Sequence, residues 1–236
     1  MRRSTHRVAI AALAFVFIAG FGALGSWQVQ RRAWKLDLID RVDARARAPA
    51  TQAPARDRWP RINAVSDEYR HVEAAGEYAA DSDTFVQALT ERGAGFWVLT
   101  PLKLADGSMV LVNRGFVPPE LRERVARITG PTRVFGLLRL TEPGGGFLRR
   151  NEPSTNRWFS RDVPAIATAR GLANVAPYFI DADAGAAEAN APIGGLTVIT
   201  FSNNHLVYAI TWYTLALMAA AGGWRLMREE QRAEHA

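Results

Sequence analysis

The chain has 236 residues, a formal net charge of +6 and no cysteine. Without cysteine it can form no disulfide, no thiolate metal site and no thiol redox centre. Its basic residues are spread along the chain rather than clustered, so we predict no nucleic-acid partner.

Two uncharged apolar runs bracket the chain. Val8 to Trp27 spans twenty residues and Leu206 to Trp224 spans nineteen. As helices, both are long enough to cross a bilayer core of about 30 Å. Basic residues flank the outer ends of both runs, which predicts that both termini lie in the cytoplasm; these residues are Arg2, Arg3, Arg7, Arg225, Arg228 and Arg232. A cleaved signal peptide with a site at Ala23-Leu24-Gly25 is the alternative for the first run, but the run exceeds the usual apolar length of such a peptide.

Between the runs lie about 175 residues, enough for one ordinary domain. Trp34, Leu38 and Val42 follow a helical period, so the first helix should continue beyond the membrane. Ala46–Pro60 is predicted to be a linker. Short apolar segments bounded by Gly, Pro or Asp then predict strands, at Tyr69–Tyr78, Asp83–Leu89, Phe96–Leu104, Met109–Val117, Arg133–Leu140, Arg157–Val163 and Tyr178–Asp181.

Three further segments complete the prediction: a flexible loop at Gly144–Gly146, a short helix near Pro164–Arg170 and a linker at Ala182–Gly195. We therefore predict an α+β membrane protein, in which two transmembrane helices flank a mainly antiparallel β domain. The expected boundaries are a cytoplasmic tail at 1–7, a transmembrane helix at 8–28, a helical extension and linker at 29–60, a β-rich domain at 61–202, a second transmembrane helix at 203–224 and a cytoplasmic tail at 225–236.

His205 stands at the predicted start of the second helix, after the capping residues Ser202, Asn203 and Asn204. A helix N-terminus favours the neutral imidazole, which is the form that ligates metals. Tyr208 and Trp212 follow on the same helical face. Glycines at 20, 22 and 25 in the first run leave room for a flat group, and Arg31, Arg32 and Lys35 lie just outside the membrane.

This combination suits a haem with its propionates. It also suits an interfacial histidine that hydrogen-bonds lipid headgroups, with Tyr208 and Trp212 as ordinary belt aromatics. Spacing alone favours this second interpretation. The sequence contains no nucleophile elbow and no His-Glu-x-x-His metal helix, and no set of acid, base and nucleophile can be named, so we predict that the protein is not an enzyme.

Several motifs occur in an order that resembles the Surfeit locus protein 1 family of cytochrome c oxidase assembly factors. They are Leu24-Gly25-Ser26-Trp27-Gln28, Gly76-Glu77-Tyr78, Val112-Asn113-Arg114-Gly115-Phe116-Val117-Pro118, Asn151-Glu152-Pro153 and Asn204-His205-Leu206 with Tyr208 and Trp212. The resemblance covers nearly the whole chain.

The resemblance implies two transmembrane helices around a soluble domain on the outer side of an energy-transducing membrane. It implies a role in maturation of oxidase subunit I, together with other oxidase assembly factors, and binding of haem a through His205. The expected cofactor-binding residues are His205, Trp27, Gln28, Tyr208, Trp212, Arg31 and Arg32, with His205 as the metal ligand. A protein-binding scaffold for oxidase assembly without haem is the alternative. Only seven residues precede the first run, which favours a bacterial inner membrane and a periplasmic domain over an organelle with a transit peptide.

Overall fold

A computed structural model describes residues 2–146, 148–185, 189–197, 199 and 203–234. The chain divides into two compact units, one formed by Met1–Arg41 with Thr200–Ala236 and the other by Val42–Ile199. The first unit consists mainly of two long helices. The second contains nearly all of the β structure.

The two long helices are α1 (Arg2–Ala46) and α3 (His205–Glu234). Both are long and apolar enough, by length and composition, to cross a membrane. α1 continues without a break past Trp27, as the periodicity of Trp34, Leu38 and Val42 predicted. The helices are antiparallel, since Gly25 packs on Tyr213 whereas Gly223 packs on Ala14.

The β domain is built around a barrel-like sheet. Its strands are β1 (Thr51–Gln52), β2 (His71–Tyr78), β3 (Thr84–Thr90), β4 (Gly93–Leu104), β5 (Met109–Val117), β6 (Pro131–Leu140) and β9 (Val175–Ala182), in the order β1-β2-β6-β9-β5-β4-β3. A further antiparallel pairing joins β2 to β4 and closes five of these strands into a ring. All neighbours are antiparallel except β1 with β2 and β5 with β9. This confirms the expectation of a mainly antiparallel β domain between two apolar helices.

The strands of the barrel bury side chains on both faces. On β5, Val110 and Val112 belong to one core cluster and the intervening Leu111 belongs to another. The second cluster is closed by Trp158 and by the short helix α2 (Val163–Ala169). Because both faces of β5 are covered, its sequence is a nearly continuous apolar run rather than an alternating one.

The predicted strand at Arg157–Val163 is wrong. Trp158 makes an isolated bridge to Val86, and Val163 already belongs to α2. The apolar residues of this segment are buried without a strand ladder, because the side-chain oxygen of Asn151 accepts the backbone N–H groups of residues 159 and 160 at 2.8 and 3.2 Å.

Three glycine-rich or linker predictions also differ from the structure. Gly145–Gly146 (β7) pairs with Arg149–Arg150 (β8) in a small hairpin instead of forming a flexible loop. The segment predicted as a linker at 182–195 contains Ile193, which exchanges two backbone hydrogen bonds with Phe116 at 2.9 Å; residues 186–188 of that prediction lie outside the described residues. The linker at 46–60 includes β1 and a 3-10 helix at Arg56–Arg61.

Candidate functional site

His205 and Gln28 meet between the two long helices. The His205 Nδ1 lies 2.7 Å from the side-chain oxygen of Gln28. Since this oxygen can only accept, Nδ1 must carry the hydrogen and donate it. In the neutral ring, Nε2 then keeps its lone pair. Among the described residues no hydrogen bond to Nε2 is found. A neutral His205 ring in this arrangement would have Nε2 as its metal-binding nitrogen.

The start of α3 explains where His205 stands. The helix begins at His205, and the carbonyl of Asn204 accepts the N–H of Tyr208 at 3.3 Å, so Asn204 occupies the capping position. Ser202 lies outside the described residues. Gln28 is buried at 9% exposure on α1, where the neighbouring Trp27 is 54% exposed. The sequence predicted that Gln28 and His205 belong to one site, and the structure brings their side chains together.

The predicted aromatic residues differ in their surroundings. Tyr208 is 54% exposed, as is Trp27. Trp212 instead packs its ring against Phe21, with ring centroids 5.7 Å apart and planes at 23°. Phe21 also stacks on Phe17 at 5.8 Å. Phe21 is thus a partner of the predicted site that sequence reasoning missed, although its spacing from Gly25 and Gln28 places it on the same helical side.

The predicted glycine-lined gap exists only in part. A Cβ at Gly25 would lie 2.7 Å from the ring of Tyr213, so the space beside Gly25 is already filled. Tyr213 also places its hydroxyl 3.1 Å from the Ser26 hydroxyl. A Cβ at Gly20 or at Gly22 would meet no atom within 4 Å beyond the backbone of its own helix and its chain neighbours. The expectation that Gly25 leaves room for a flat group was wrong because it overlooked Tyr213, which follows Trp212 directly in sequence.

The predicted cations lie on the same helix as Gln28. The guanidinium of Arg31 stacks over the Trp34 ring at 4.1 Å, while Arg32 is half-buried. Stacking on a ring leaves the in-plane N–H groups of a guanidinium able to bind an acidic group. The described contacts do not place Arg31 or Arg32 against His205, so their role at the site stays a prediction.

A buried charge cluster in the β domain was not predicted. Asp181 is 3% exposed and accepts hydrogen bonds from Asn113, Arg139, Arg161 and Thr197. Burial alone would raise the pKa of Glu142, but its hydrogen bond with Arg161 and the charges of Arg161 and Arg139 outweigh burial and hold that pKa below its usual value. The groups of the cluster satisfy one another, which is the pattern of a structural network. Within the described residues no group of three or more His, Asp or Glu side chains could hold a metal.

Comparison with known proteins covers both helices and the β domain. The model of the SURF1 family matches residues 15–217, a range that includes Gln28 and His205. The chain belongs to the SURF1 family. Members of this family are known as cytochrome c oxidase assembly factors rather than as enzymes.

The chain aligns with individual relatives over most of their length. The chain is 36% identical over 226 residues to Surfeit locus protein 1 of Homo sapiens, covering 86% of this chain and 72% of that protein. It is 35% identical over 224 residues to Surfeit locus protein 1 of Rattus norvegicus, covering 86% and 70% respectively. A SURF1-like protein of Monosiga brevicollis is 32% identical over 236 residues, covering 93% and 87%.

Proposed function

We propose that this SURF1 family member binds haem a and assists its insertion into subunit I of cytochrome c oxidase, together with other oxidase assembly factors. The observation that carries the proposal is the hydrogen bond between His205 and Gln28. It fixes the ring orientation and leaves Nε2 as the metal-binding nitrogen. Histidines that bind metals usually donate their other N–H to such an acceptor.

The residues around His205 fit a haem in chemistry. Trp27 and Tyr208 are large, half-exposed aromatic side chains that can contact an apolar macrocycle. Arg31 and Arg32 are suited to hold propionates, because a guanidinium binds a carboxylate with two parallel hydrogen bonds. His205 would ligate the haem iron when haem a is bound, and the side chains around it would shield the group from solvent.

The two helices support a location in a membrane. Their apolar side chains are largely exposed within the described residues, with Phe15 and Leu217 each at 71%. Contiguous exposed apolar surface of this kind is costly in water and normal in lipid. Together with the flanking arginines, this supports a multi-pass protein of a bacterial inner membrane with its β domain in the periplasm.

The proposal is tested by purifying the full chain from cells that synthesise haem a and recording its visible absorption spectrum. The wild-type protein should carry haem. His205→Ala should lose it, while the amount of protein in the membrane stays unchanged because both apolar helices are intact. His6→Ala is the matched control, since it also removes an imidazole, and it should keep the haem. Wild-type haem content with an unchanged spectrum in His205→Ala would overturn the ligand assignment.

A scaffold without haem is the second candidate, and one observation favours it. Tyr213 fills the space beside Gly25, and Phe21 covers a face of Trp212, so the helices pack closely where a flat group was expected. In this case the His205 hydrogen bond would only join the two helices. A wild-type protein that supports oxidase assembly but carries no haem, combined with normal assembly in His205→Ala, would favour the scaffold.

A further inference from the structure

A second site with ligand-binding chemistry lies in the β domain. Arg114 on β5 lines a cavity of about 320 Å³, whose other walls come from β6, the segment after β9 and the chain around Ile128. The cavity does not include any residue of the helix pair that holds His205. A ligand of this cavity would therefore be distinct from the haem proposed at His205.

Arg114 is buried with too few partners for a charged group. Its side chain is 6% exposed. One terminal nitrogen donates to the carbonyl of Ala126 at 2.5 Å, and the other lies 3.7 Å from the Asp83 carboxylate, beyond hydrogen-bond range. Its Nε is buried and has no hydrogen-bond partner among the described residues. A buried guanidinium normally has its donors satisfied, so a cavity beside one is suited to a ligand that supplies acceptors.

The lining of this cavity favours a negative ligand. Arg127 and Arg133 join Arg114 in the walls, where Arg127 pairs with Asp81 at 2.6 Å and Arg133 lies 3.8 Å from Glu73; the lining includes one acid, Asp183. The Asp183 carboxylate is engaged by His71, whose Nε2 lies 2.8 Å away. Burial raises the pKa of Tyr78, the remaining ionisable residue in the walls, to about 12, so its phenol is neutral.

Arg114 also lines a neighbouring cavity of about 440 Å³, where the charges differ. Three arginines there face four acids, which are Glu77, Asp81, Asp83 and Glu123. The formal charge of that lining is therefore less favourable to an anion than the formal charge of the first cavity.

Apolar side chains form much of the remaining wall of the first cavity. Ile128 and Phe135 are each 42% exposed, and Val134 is buried between strands. Walls of this kind favour a ligand with an apolar body over a fully hydrated inorganic anion. We infer that this cavity binds a small carboxylate with an apolar body, its carboxylate held by Arg114 and its body against Ile128 and Phe135.

The inference is tested by equilibrium dialysis of radiolabelled phenylacetate against the full chain in lipid nanodiscs, with empty nanodiscs as the blank. Phenylacetate should bind saturably. Acetate lacks the apolar body, 2-phenylethanol lacks the charge, and inorganic phosphate lacks both the body and the planar carboxylate. Each should compete at least about tenfold less well, which corresponds to losing one charged hydrogen bond or one apolar contact surface.

Two variants assign the binding to this cavity. Arg114→Lys keeps the charge but removes the planar donors, and Ile128→Glu places a negative charge in the wall at a partly exposed position. Both should weaken binding at least about tenfold. Leu148→Glu is the matched control, because Leu148 is 90% exposed and lies outside the cavity. Ile128→Glu keeps the test decisive if Arg114→Lys fails to fold.

Three results would overturn the inference: no saturable binding to the wild type, equal competition by acetate or phosphate, or undiminished binding to Ile128→Glu.

Discussion

Gly115 lies directly against the backbone of Ile193. A Cβ at Gly115 would overlap the Ile193 carbonyl, and the Gly115 φ of 129° is in the region that favours glycine. This close approach allows Phe116 and Ile193 to exchange two hydrogen bonds of 2.9 Å. The preceding Asn113 donates to Asp181 and accepts the N–H of Gly115. The Asn113-Arg114-Gly115 stretch is thus needed to join β5 to the segment around Ile193.

Gly115→Val should destabilise the protein by about 3 kcal/mol or more, because both the φ angle and the contact with Ile193 disfavour a branched side chain. The measurement is the amount of protein in membranes together with its melting temperature. Gly130→Val is the control, since Gly130 has a φ of 80° but a Cβ there would meet no atom within 4 Å. Its loss of stability should therefore be smaller. Normal abundance of Gly115→Val with lost oxidase activity would indicate a partner-docking surface instead.

Gln28 should control haem affinity through the orientation of His205. Gln28→Leu removes the acceptor of the Nδ1 hydrogen and should weaken haem binding about 10- to 100-fold. Gln28→Glu keeps an acceptor oxygen and should bind nearly as well as the wild type. Titration of the purified full chain with haem, followed by absorbance, compares the two variants. Equal affinity in Gln28→Leu and the wild type would show that Gln28 does not orient the ligand.

The antiparallel contact between α1 and α3 predicts a specific cross-link. A Cβ at Gly223 would lie 2.8 Å from the Cβ of Ala14, close enough for a disulfide after a small adjustment. The chain has no cysteine of its own, so Ala14→Cys with Gly223→Cys introduces its only two thiols. After mild oxidation and cleavage at a protease site inserted between the helices, the two fragments should stay joined until reduced.

The control for this cross-link pairs Ala14→Cys with Gly222→Cys. A Cβ at Gly222 would meet no atom of α1 within 4 Å, so the thiol of Gly222→Cys should lie away from Ala14→Cys. Equal cross-linking of both pairs would contradict the described packing of the helices.

His71 should make the stability of the β domain depend on pH. Burial alone would lower the pKa of His71, but its hydrogen bonds to Asp183 and to the Ala48 carbonyl, with the charge of Asp183, outweigh burial and raise that pKa above 6.5. Since the folded pKa is raised, the stabilisation is fully present below about pH 6.5 and is lost as pH rises through the folded value.

The measurement is the melting temperature of the wild type relative to His71→Gln across this pH range, using tryptophan fluorescence. The difference should be largest in mild acid and should shrink towards alkaline pH. A difference that does not change with pH would mean that folding leaves the pKa of His71 unshifted.

Reporter fusions test the proposed topology. The flanking arginines and two apolar helices predict that a reporter after Met109 is periplasmic and that one after Ala236 is cytoplasmic. An enzyme that is active only in the periplasm and one that is active only in the cytoplasm should give opposite patterns at the two positions. A cytoplasmic signal at Met109 would contradict the two-span arrangement.

Local patterns were enough to predict most elements of the fold. The long apolar runs and the Trp34, Leu38 and Val42 period gave α1, and the segments from His71 to Leu140 were recognised as strands because Gly, Pro and Asp punctuate them. The Trp158 segment was misassigned because the backbone N–H groups of a buried apolar run can be satisfied by a side chain, here Asn151, as well as by a neighbouring strand. Nothing in the sequence spacing indicates that β2 pairs with β4 to close the barrel.

The candidate site was predictable only in part for the same reason. The resemblance placed Gln28 with His205, but the filling of the Gly25 space by Tyr213 depends on how the helices rotate against each other. Likewise, the missing hydrogen-bond partner of the Arg114 Nε is a property of the three-dimensional surroundings, since the residues around the guanidinium, 78, 83 and 126, are distant in sequence.

The closure between β2 and β4 limits how this domain can be recognised by other proteins. Along one edge of β4, the first half pairs with β3 and the last residues pair with β2. The edge of β2 that pairs with β4 also pairs with β1 near its start. At the centre of the outer edge of β3, the backbone N–H of Gln87 donates a hydrogen bond to the Trp158 carbonyl at 2.8 Å. β3 is the end strand of the sheet, and its contact with Trp158 interrupts the outer edge on which a foreign strand could extend it. A protein that added a strand to this sheet would therefore have to displace the Trp158 segment from β3.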